Sequence, residues 1–492
     1  MSENNSSYRQ ILKATSLFGG VQLFNILIAV LRTKLIAILI GPIGIGITGL
    51  LNSTTELIAG FTNFGLQTSA TKKIAESVGN DLKISKIVTI VNKLVWFTGI
   101  LGFCLTLFFS NWLSQITFHN SEFAMLFIWA SFSLLLKQMS NGKFAILQGL
   151  MRLKYLAKAN FYGSFLGLII TIPVYYYWKL DAIAPSIFIS SLIGYSLAFY
   201  YTSKLNIKTL RITNQEMLIE ARSMLNLGIM ISLSSAMTFV SAYLLQIFIN
   251  RIGGIEQVGF YNAGFTILNS YVALIFTAMS TDYFPRLTTV INDRTKTNKL
   301  VFEQASISIL IITPIITFFL YLASFIINIL YSKEFIVITE MISWGIIGML
   351  FKSVSLSMGF ILIAKGDSKI FIRTAIFFNT LSLVLNITAY YFYGLEGLGV
   401  SFLVYYGIHF YGLKILTKNK YNFSFNQEFY NIFLICITIC FISFTIRYIK
   451  YSILKSILMV FMFLASSVFS LYQLNKKLDL KEIINSLREK LK

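Results

Sequence analysis

Long apolar runs alternate with short polar stretches that hold most of the lysines and arginines. A helix needs about 20 apolar residues to cross the hydrocarbon of a bilayer. The chain offers fourteen such runs, predicting spans at 14–40, 43–68, 87–109, 122–148, 159–178, 183–202, 223–250, 258–281, 303–327, 335–363, 370–393, 397–417, 429–446 and 453–472. Polar residues inside the runs recur at helical spacing and so gather on single faces. Gln22, Asn25, Ala29 and Arg32 form one stripe on the first span, and Thr48, Asn52, Glu56, Ala59 and Asn63 form another on the second. Lys137 shares a face with Ser133, Ser140 and Asn141, and Lys352 shares one with Gly348, Ser355 and Gly359.

Composition agrees with this reading. Of 492 residues, 56% are hydrophobic and only 12% charged, with a mean hydropathy of +0.72, which describes an all-α polytopic membrane protein and not a soluble core. The net charge of +21 does not point to nucleic acid, because the cations sit in the connections between spans. With the N-terminus inside, 29 of the 41 lysines and arginines fall in cytoplasmic segments and six in the opposite loops, so both termini are expected in the cytoplasm. The loop from Arg447 to Lys455 alone runs against that rule. The start, Met1 to Lys13, is polar and the first apolar run is too long for a cleavable signal. Cys104, Cys436 and Cys440 lie in apolar runs and His119 and His409 stand apart, so no metal site, cofactor or enzymatic centre is expected. No G-x-x-x-x-G-K-[ST] phosphate loop is present, which leaves an ion gradient, the substrate gradient or a partner to drive transport.

Shifted by 215 residues, the chain falls on itself. Gly44 meets Gly259, Gly49 meets Gly264, Trp129 meets Trp344, Lys137 meets Lys352 and Lys158 meets Arg373. Tyr175-Tyr176-Tyr177-Trp178 meets Tyr390-Tyr391-Phe392-Tyr393, and Leu180-Asp181 meets Leu395-Glu396. An interfacial belt explains aromatic residues at a span end but not a shared register. Each copy holds six spans, an even number, so both enter the membrane from the same side. The prediction is two parallel six-helix lobes, 1–202 and 223–425, related by a pseudo-twofold along the membrane normal. A basic cytoplasmic linker, 203–222, joins them; an accessory helix pair, 426–472, and an amphipathic tail, 473–492, follow.

Cations at bilayer depth cost roughly 2.5 kcal/mol or more, so they are expected to face a wet cavity, to meet an anion or to snorkel. Arg32, Lys34, Lys137, Lys143 and Lys352 are the candidates for contact with a substrate; Arg32, Lys34 and Lys143 could also snorkel. Glu56 is the only mid-span carboxylate. It either braces Arg32 across the first hairpin or titrates, coupling H+ or Na+ to transport. Five cations against one carboxylate predict a basic cavity suited to phosphate.

Several stretches resemble the Wzx-type O-antigen and polysaccharide repeat-unit flippases of the multidrug/oligosaccharidyl-lipid/polysaccharide exporter superfamily. They are Lys34-Leu-Ile-Ala-Ile-Leu-Ile-Gly-Pro-Ile-Gly-Ile-Gly46, Thr71-Lys-Lys-Ile-Ala-Glu76 and Gln148-Gly-Leu-Met-Arg152 in the first lobe. The second adds Val258-Gly-Phe-Tyr261, Phe284-Pro-Arg-Leu287 and Ile361-Leu-Ile-Ala-Lys365. The resemblance covers roughly residues 10 to 425 and is closest to the O-antigen translocase branch, from which the chain departs by its last two spans. It implies a bacterial inner-membrane protein that turns an undecaprenyl-diphosphate-linked oligosaccharide from the cytoplasmic to the periplasmic leaflet, with polysaccharide polymerase machinery as a partner. It also implies that Arg32 or Lys34, late in span one, contacts the diphosphate. A multidrug cation exporter of the same superfamily is the alternative. The major facilitator fold also has two six-span lobes, but residues 68–80 lack its G-x-x-x-D-[RK] signature.

Overall fold

The computed structural model describes residues 2–272 and 283–478. Among them no strand occurs, and fifteen helices carry nearly all the chain. Ten helical stretches are long and apolar enough to cross a membrane. Three of these hold two predicted spans each, so thirteen of the fourteen are present among the described residues. The remaining one, 258–281, runs into residues outside them, as does most of the amphipathic tail. The chain is an all-α multi-pass membrane protein. By packing it divides into two compact units, residues 1–259 with 330–332, and residues 260–329 with 333–492.

Unit 1 begins with α1 (Ser2–Thr62), which carries the first two spans and turns between them at Gly41, with Pro42 next in line. Short α2 (Leu66–Ala75) leads to α3 (Asp81–Phe108), α4 (Ser110–Phe118), α5 (Ala124–Gly149), α6 (Leu153–Trp178) and α7 (Ile183–Ser203). α5 lies against both α3 and α7, and α6 against α1 and α7. A buried cluster including Leu66, Ile74, Ile90, Val91 and Ile146 seals α2, α3 and α5. Buried threonines satisfy themselves by donating to the carbonyl four residues back, as Thr106 does to Gly102 at 2.8 Å and Thr171 to Gly167 at 2.6 Å. Such bonds let a polar side chain sit in an apolar helix bundle.

α8 (Asn214–Gly253) also belongs to unit 1, so the division by packing falls after Gly259 rather than in the linker at 203–222. The reason is visible at both ends of α8. Near its start, a Cβ on Gly228 would lie 1.9 Å from the Phe64 carbonyl oxygen, so only glycine permits that approach. Near its end, Asn250 donates to the Thr117 carbonyl at 2.8 Å, and the Tyr243 and Thr117 hydroxyls share a 2.8 Å bond.

α9 (Ile255–Thr266) starts in unit 1 and runs on into unit 2 through a π-helical turn, Ile267–Val272. Unit 2 continues with α10 (283–290), α11 (Arg294–Leu330), α12 (Thr339–Ala364), α13 (Ser368–Tyr421), α14 (Gln427–Ile446) and α15 (Ser452–Leu478). α13 is the main partner of α12 and carries two spans, hinged at Gly394. The accessory pair is fastened to unit 2 by Arg447, almost buried, whose Nη2 donates to Glu340 Oε1 at 2.7 Å and Nη1 to Oε2 at 3.4 Å. That ion pair occupies one of the three cations in the loop that broke the charge rule.

The 215-residue repeat reappears in the backbone. Lys179 (φ 49°, ψ −121°) and Gly394 (φ 57°, ψ −140°) share one rare conformation, and Met151 (φ 55°) pairs with Gly366 (φ 72°). Tyr176 and Tyr177 meet edge to face at 5.3 Å, and their counterparts Tyr391 and Phe392 do so at 5.2 Å.

Candidate functional site

A cavity of about 650 Å³ lies within unit 1, among α1, α5 and α7. All five residues of the second-span stripe, Thr48, Asn52, Glu56, Ala59 and Asn63, line it. So does the whole α5 face: Ser133, Lys137, Ser140 and Asn141. The turn at Gly41 folds the two arms of α1 back on each other, which brings Arg32 into the same lining. α6 contributes Tyr175, and α7 contributes Ser190 and Ser191.

The hydroxyls around the cavity donate their protons to their own helices. Ser133 donates to Trp129 O at 3.1 Å, Ser140 to Leu136 O at 2.9 Å, Ser190 to Ser186 O at 2.8 Å and Ser191 to Ile187 O at 2.9 Å. Their oxygens keep lone pairs for a second partner. One is already engaged: Arg32 Nη2 donates to Ser190 Oγ at 2.9 Å. A guanidinium has five N–H donors, and this bond uses one.

The expected Arg32–Glu56 ion pair is not formed. Arg32 turns to Ser190 on α7, and Glu56 Oε1 instead stands 3.9 Å from Lys137 Nζ on α5. Both partners of that pair are open, 63% and 48% exposed, so it is a loose pair worth at most about 1 kcal/mol. The cavity thus holds two cations and one carboxylate, a net single positive charge.

The other expected cations sit elsewhere. Lys143 donates to Asn92 Oδ1 on α3 at 2.9 Å and lies 5.5 Å from the Phe199 ring centre; it does not line the cavity. Lys34 is half-buried on α1 and is likewise not part of the lining. Lys352, on α12 in unit 2, is buried, donates to Asn269, and is covered by the rings of Phe402 at 5.7 Å and Tyr406 at 5.2 Å. The repeat explains the contrast with Lys137. The positions equivalent to Phe402 and Tyr406 are Ile187 and Ser191, small enough to leave Lys137 open to the cavity. Reasoning from charge and stripe missed Gln138, whose Nε2 donates to Thr98 Oγ1 at 2.9 Å, together with Tyr175, Ser190 and Ser191. The adjacent serines in the apolar run 183–202 were the one available sign.

Residues 35–340 match the family model described as polysaccharide biosynthesis protein. The chain belongs to that family. No curated protein matches this family member significantly. Among solved structures, its fold is similar to the lipid II flippase MurJ in an inward closed conformation, with a TM-score of 0.69 and 15% identity over 94% of this chain and 99% of that one. It is similar also to an inward-facing multidrug resistance MATE family transporter of the MOP superfamily, with a TM-score of 0.67 and 15% identity over 81% of this chain and 95% of that one. A third, a MOP superfamily transporter from Pyrococcus furiosus, has a TM-score of 0.58 and 14% identity over 82% of this chain and 95% of that one. These likenesses establish the fold.

Proposed function

We propose that this protein is a Wzx-type flippase of the inner membrane. It moves an oligosaccharide linked to undecaprenyl diphosphate from the cytoplasmic to the periplasmic leaflet, with both termini in the cytoplasm. One observation carries the reading: a single cavity holds Arg32 and Lys137 amid serine, threonine, asparagine and glutamine side chains. Arginine meets phosphate oxygens through parallel N–H bonds and lysine as a point charge, while amides and hydroxyl oxygens match the hydroxyls of a sugar. The likeness to a lipid II flippase supports the same class of substrate.

Lys137 can serve Glu56 or a phosphate, and the two compete. A phosphate that engages Lys137 releases Glu56, to which we assign the coupling ion. Lys34, Lys143 and Lys352 act away from the diphosphate, by holding helices in place.

The second reading, export of an organic cation, draws on Glu56 as a cavity carboxylate. Reconstitution separates the two. Proteoliposomes loaded with a lipid-linked oligosaccharide should expose it to an external glycan-oxidising reagent at a rate that depends on this protein. Uptake of organic cations with no movement of the lipid would refute the flippase.

A further inference from the structure

A second cavity, about 780 Å³, lies between α3 and the linker 204–213. Its lining holds Lys93 and Arg211, together with Asn92 and Trp96, and no carboxylate. The acidic residues nearby are already engaged: Glu216 accepts from Lys86 at 2.8 Å, and Glu220 lies 3.6 Å from Lys73. Among the described residues neither Lys93 nor Arg211 has a carboxylate partner. Lys143 orients the lining from behind through its bond to Asn92.

The depth of this cavity follows from how the linker is tied. The Leu210 backbone N–H donates to Thr89 Oγ1 at 3.2 Å, which pins the linker across α3. Lys204, Lys208 and Arg211 keep that linker out of hydrocarbon, so Thr89 marks the head-group level. Lys93 is one turn deeper, about 6 Å by helical rise, and its side chain reaches back to the phosphate layer. From there α3 presents an exposed apolar stripe: Trp96 49%, Phe97 65%, Ile100 44% and Phe108 80%. Cations at the phosphate level, an indole at the interface and an apolar stripe beneath them match one lipid molecule from head to tail.

We propose that this groove binds the head group of an anionic phospholipid, with Lys93 and Arg211 on its phosphate and the acyl chains along Phe97 and Ile100. A free phosphate ion would use the cations but not the stripe. The site is separate from the cavity of unit 1 and does not depend on what that cavity transports. Because the linker supplies Arg211, occupancy also holds the linker to α3.

The test uses the full-length protein in vesicles whose brominated lipid is either phosphatidylglycerol or phosphatidylcholine. The readout is the Trp96 part of the quenching, taken as the difference from Trp96→Phe. Phosphatidylglycerol should quench preferentially at equal bromine content. Each cation near an anionic leaflet contributes about 1 kcal/mol, so Lys93→Ala/Arg211→Ala should reduce the preference on the order of 30-fold. Lys93→Arg should keep it, which controls for misfolding. Equal quenching by both lipids, a preference that survives the double alanine variant, or one abolished by 10-fold excess inorganic phosphate at constant ionic strength would overturn the proposal.

Discussion

Charge balance in the unit 1 cavity can be tested by a cycle on Glu56 and Lys137. At 3.9 Å two unit charges attract by about 1 kcal/mol in water and about 4 kcal/mol at an effective dielectric of 20. With both side chains half open or more, the lower figure applies, and the coupling measured in thermal stability should be roughly 0.5–1 kcal/mol. Transport should respond more strongly. Lys137→Met leaves Arg32 and Glu56, a cavity of zero net charge; Glu56→Gln leaves two cations; the double variant returns to one. A change of one unit charge about 7 Å from a phosphate is worth about 0.6 kcal/mol in water and about 2.4 kcal/mol at a dielectric of 20. Binding of the lipid-linked oligosaccharide should therefore weaken by roughly 3- to 50-fold in Lys137→Met, strengthen in Glu56→Gln and recover in the double variant. The assay is lipid binding by purified protein in nanodiscs, alongside flipping in proteoliposomes. Glu56→Gln should bind more tightly than the wild type. A double variant that binds as poorly as Lys137→Met would refute the reading that the net charge of the cavity sets its affinity for the lipid.

Four further outcomes follow. Arg32→Ala should lower flipping by roughly 10- to 100-fold, the value of a charge-assisted hydrogen bond, and Arg32→Lys by less, when both are compared at matched membrane abundance. Lys179→Gly should raise thermal stability by about 1 kcal/mol, because it relieves a left-handed residue where the repeat uses Gly394; a loss of stability would mean the Lys179 side chain matters more than its backbone. Arg447→Ala should cost about 1–3 kcal/mol and open the buried thiols of Cys436 and Cys440 to a maleimide. The Glu216 carboxyl is held below the usual carboxylate range, first by the hydrogen bond from Lys86 and then by Thr213. It stabilises the start of α8 above the unfolded value near about 4.3 and loses that effect as pH falls through its own lowered value. Hydrogen-exchange protection across 214–222, relative to the intrinsic rate at each pH, should fall on acidification in the wild type and not in Glu216→Gln.

The spans, the repeat and two lining faces were legible because each rests on periodicity. Thr48 to Asn63 and Ser133 to Asn141 had to share a face if they were helical, and a polar face inside an apolar run has few places to go. The partner of each charge was not legible. Arg32 and Glu56 lie at similar distances from the two ends of the Gly41–Gly46 turn, yet which arm rotates toward α5 or α7 depends on packing across helices far apart in sequence. Ser190 and Ser191 hide for a chemical reason: a serine that donates to its own helix looks neutral in any run of apolar residues. Lys352 shows the limit of the repeat itself. Its register is kept, but Phe402 and Tyr406 stand where Lys137 faces Ile187 and Ser191, and two rings are enough to turn an open lysine into a sealed one.

The aromatic collars also act as a ruler. From Lys158 to Trp178 is 20 residues of α6, and from Arg373 to Tyr393 is 20 residues of α13, each about 30 Å at helical rise. Tyr177 and Trp178, like Phe392 and Tyr393, are among the most exposed rings of their units, so each collar anchors one end of a span whose other end is held by cations. The repeat therefore copies a hydrophobic thickness, and both units are cut for the same bilayer. A membrane several ångströms thinner or thicker would mismatch them in the same sense, and tilt or local lipid deformation would have to absorb it. Lipid chain length thereby becomes a control on this protein that acts without touching any residue of the cavity.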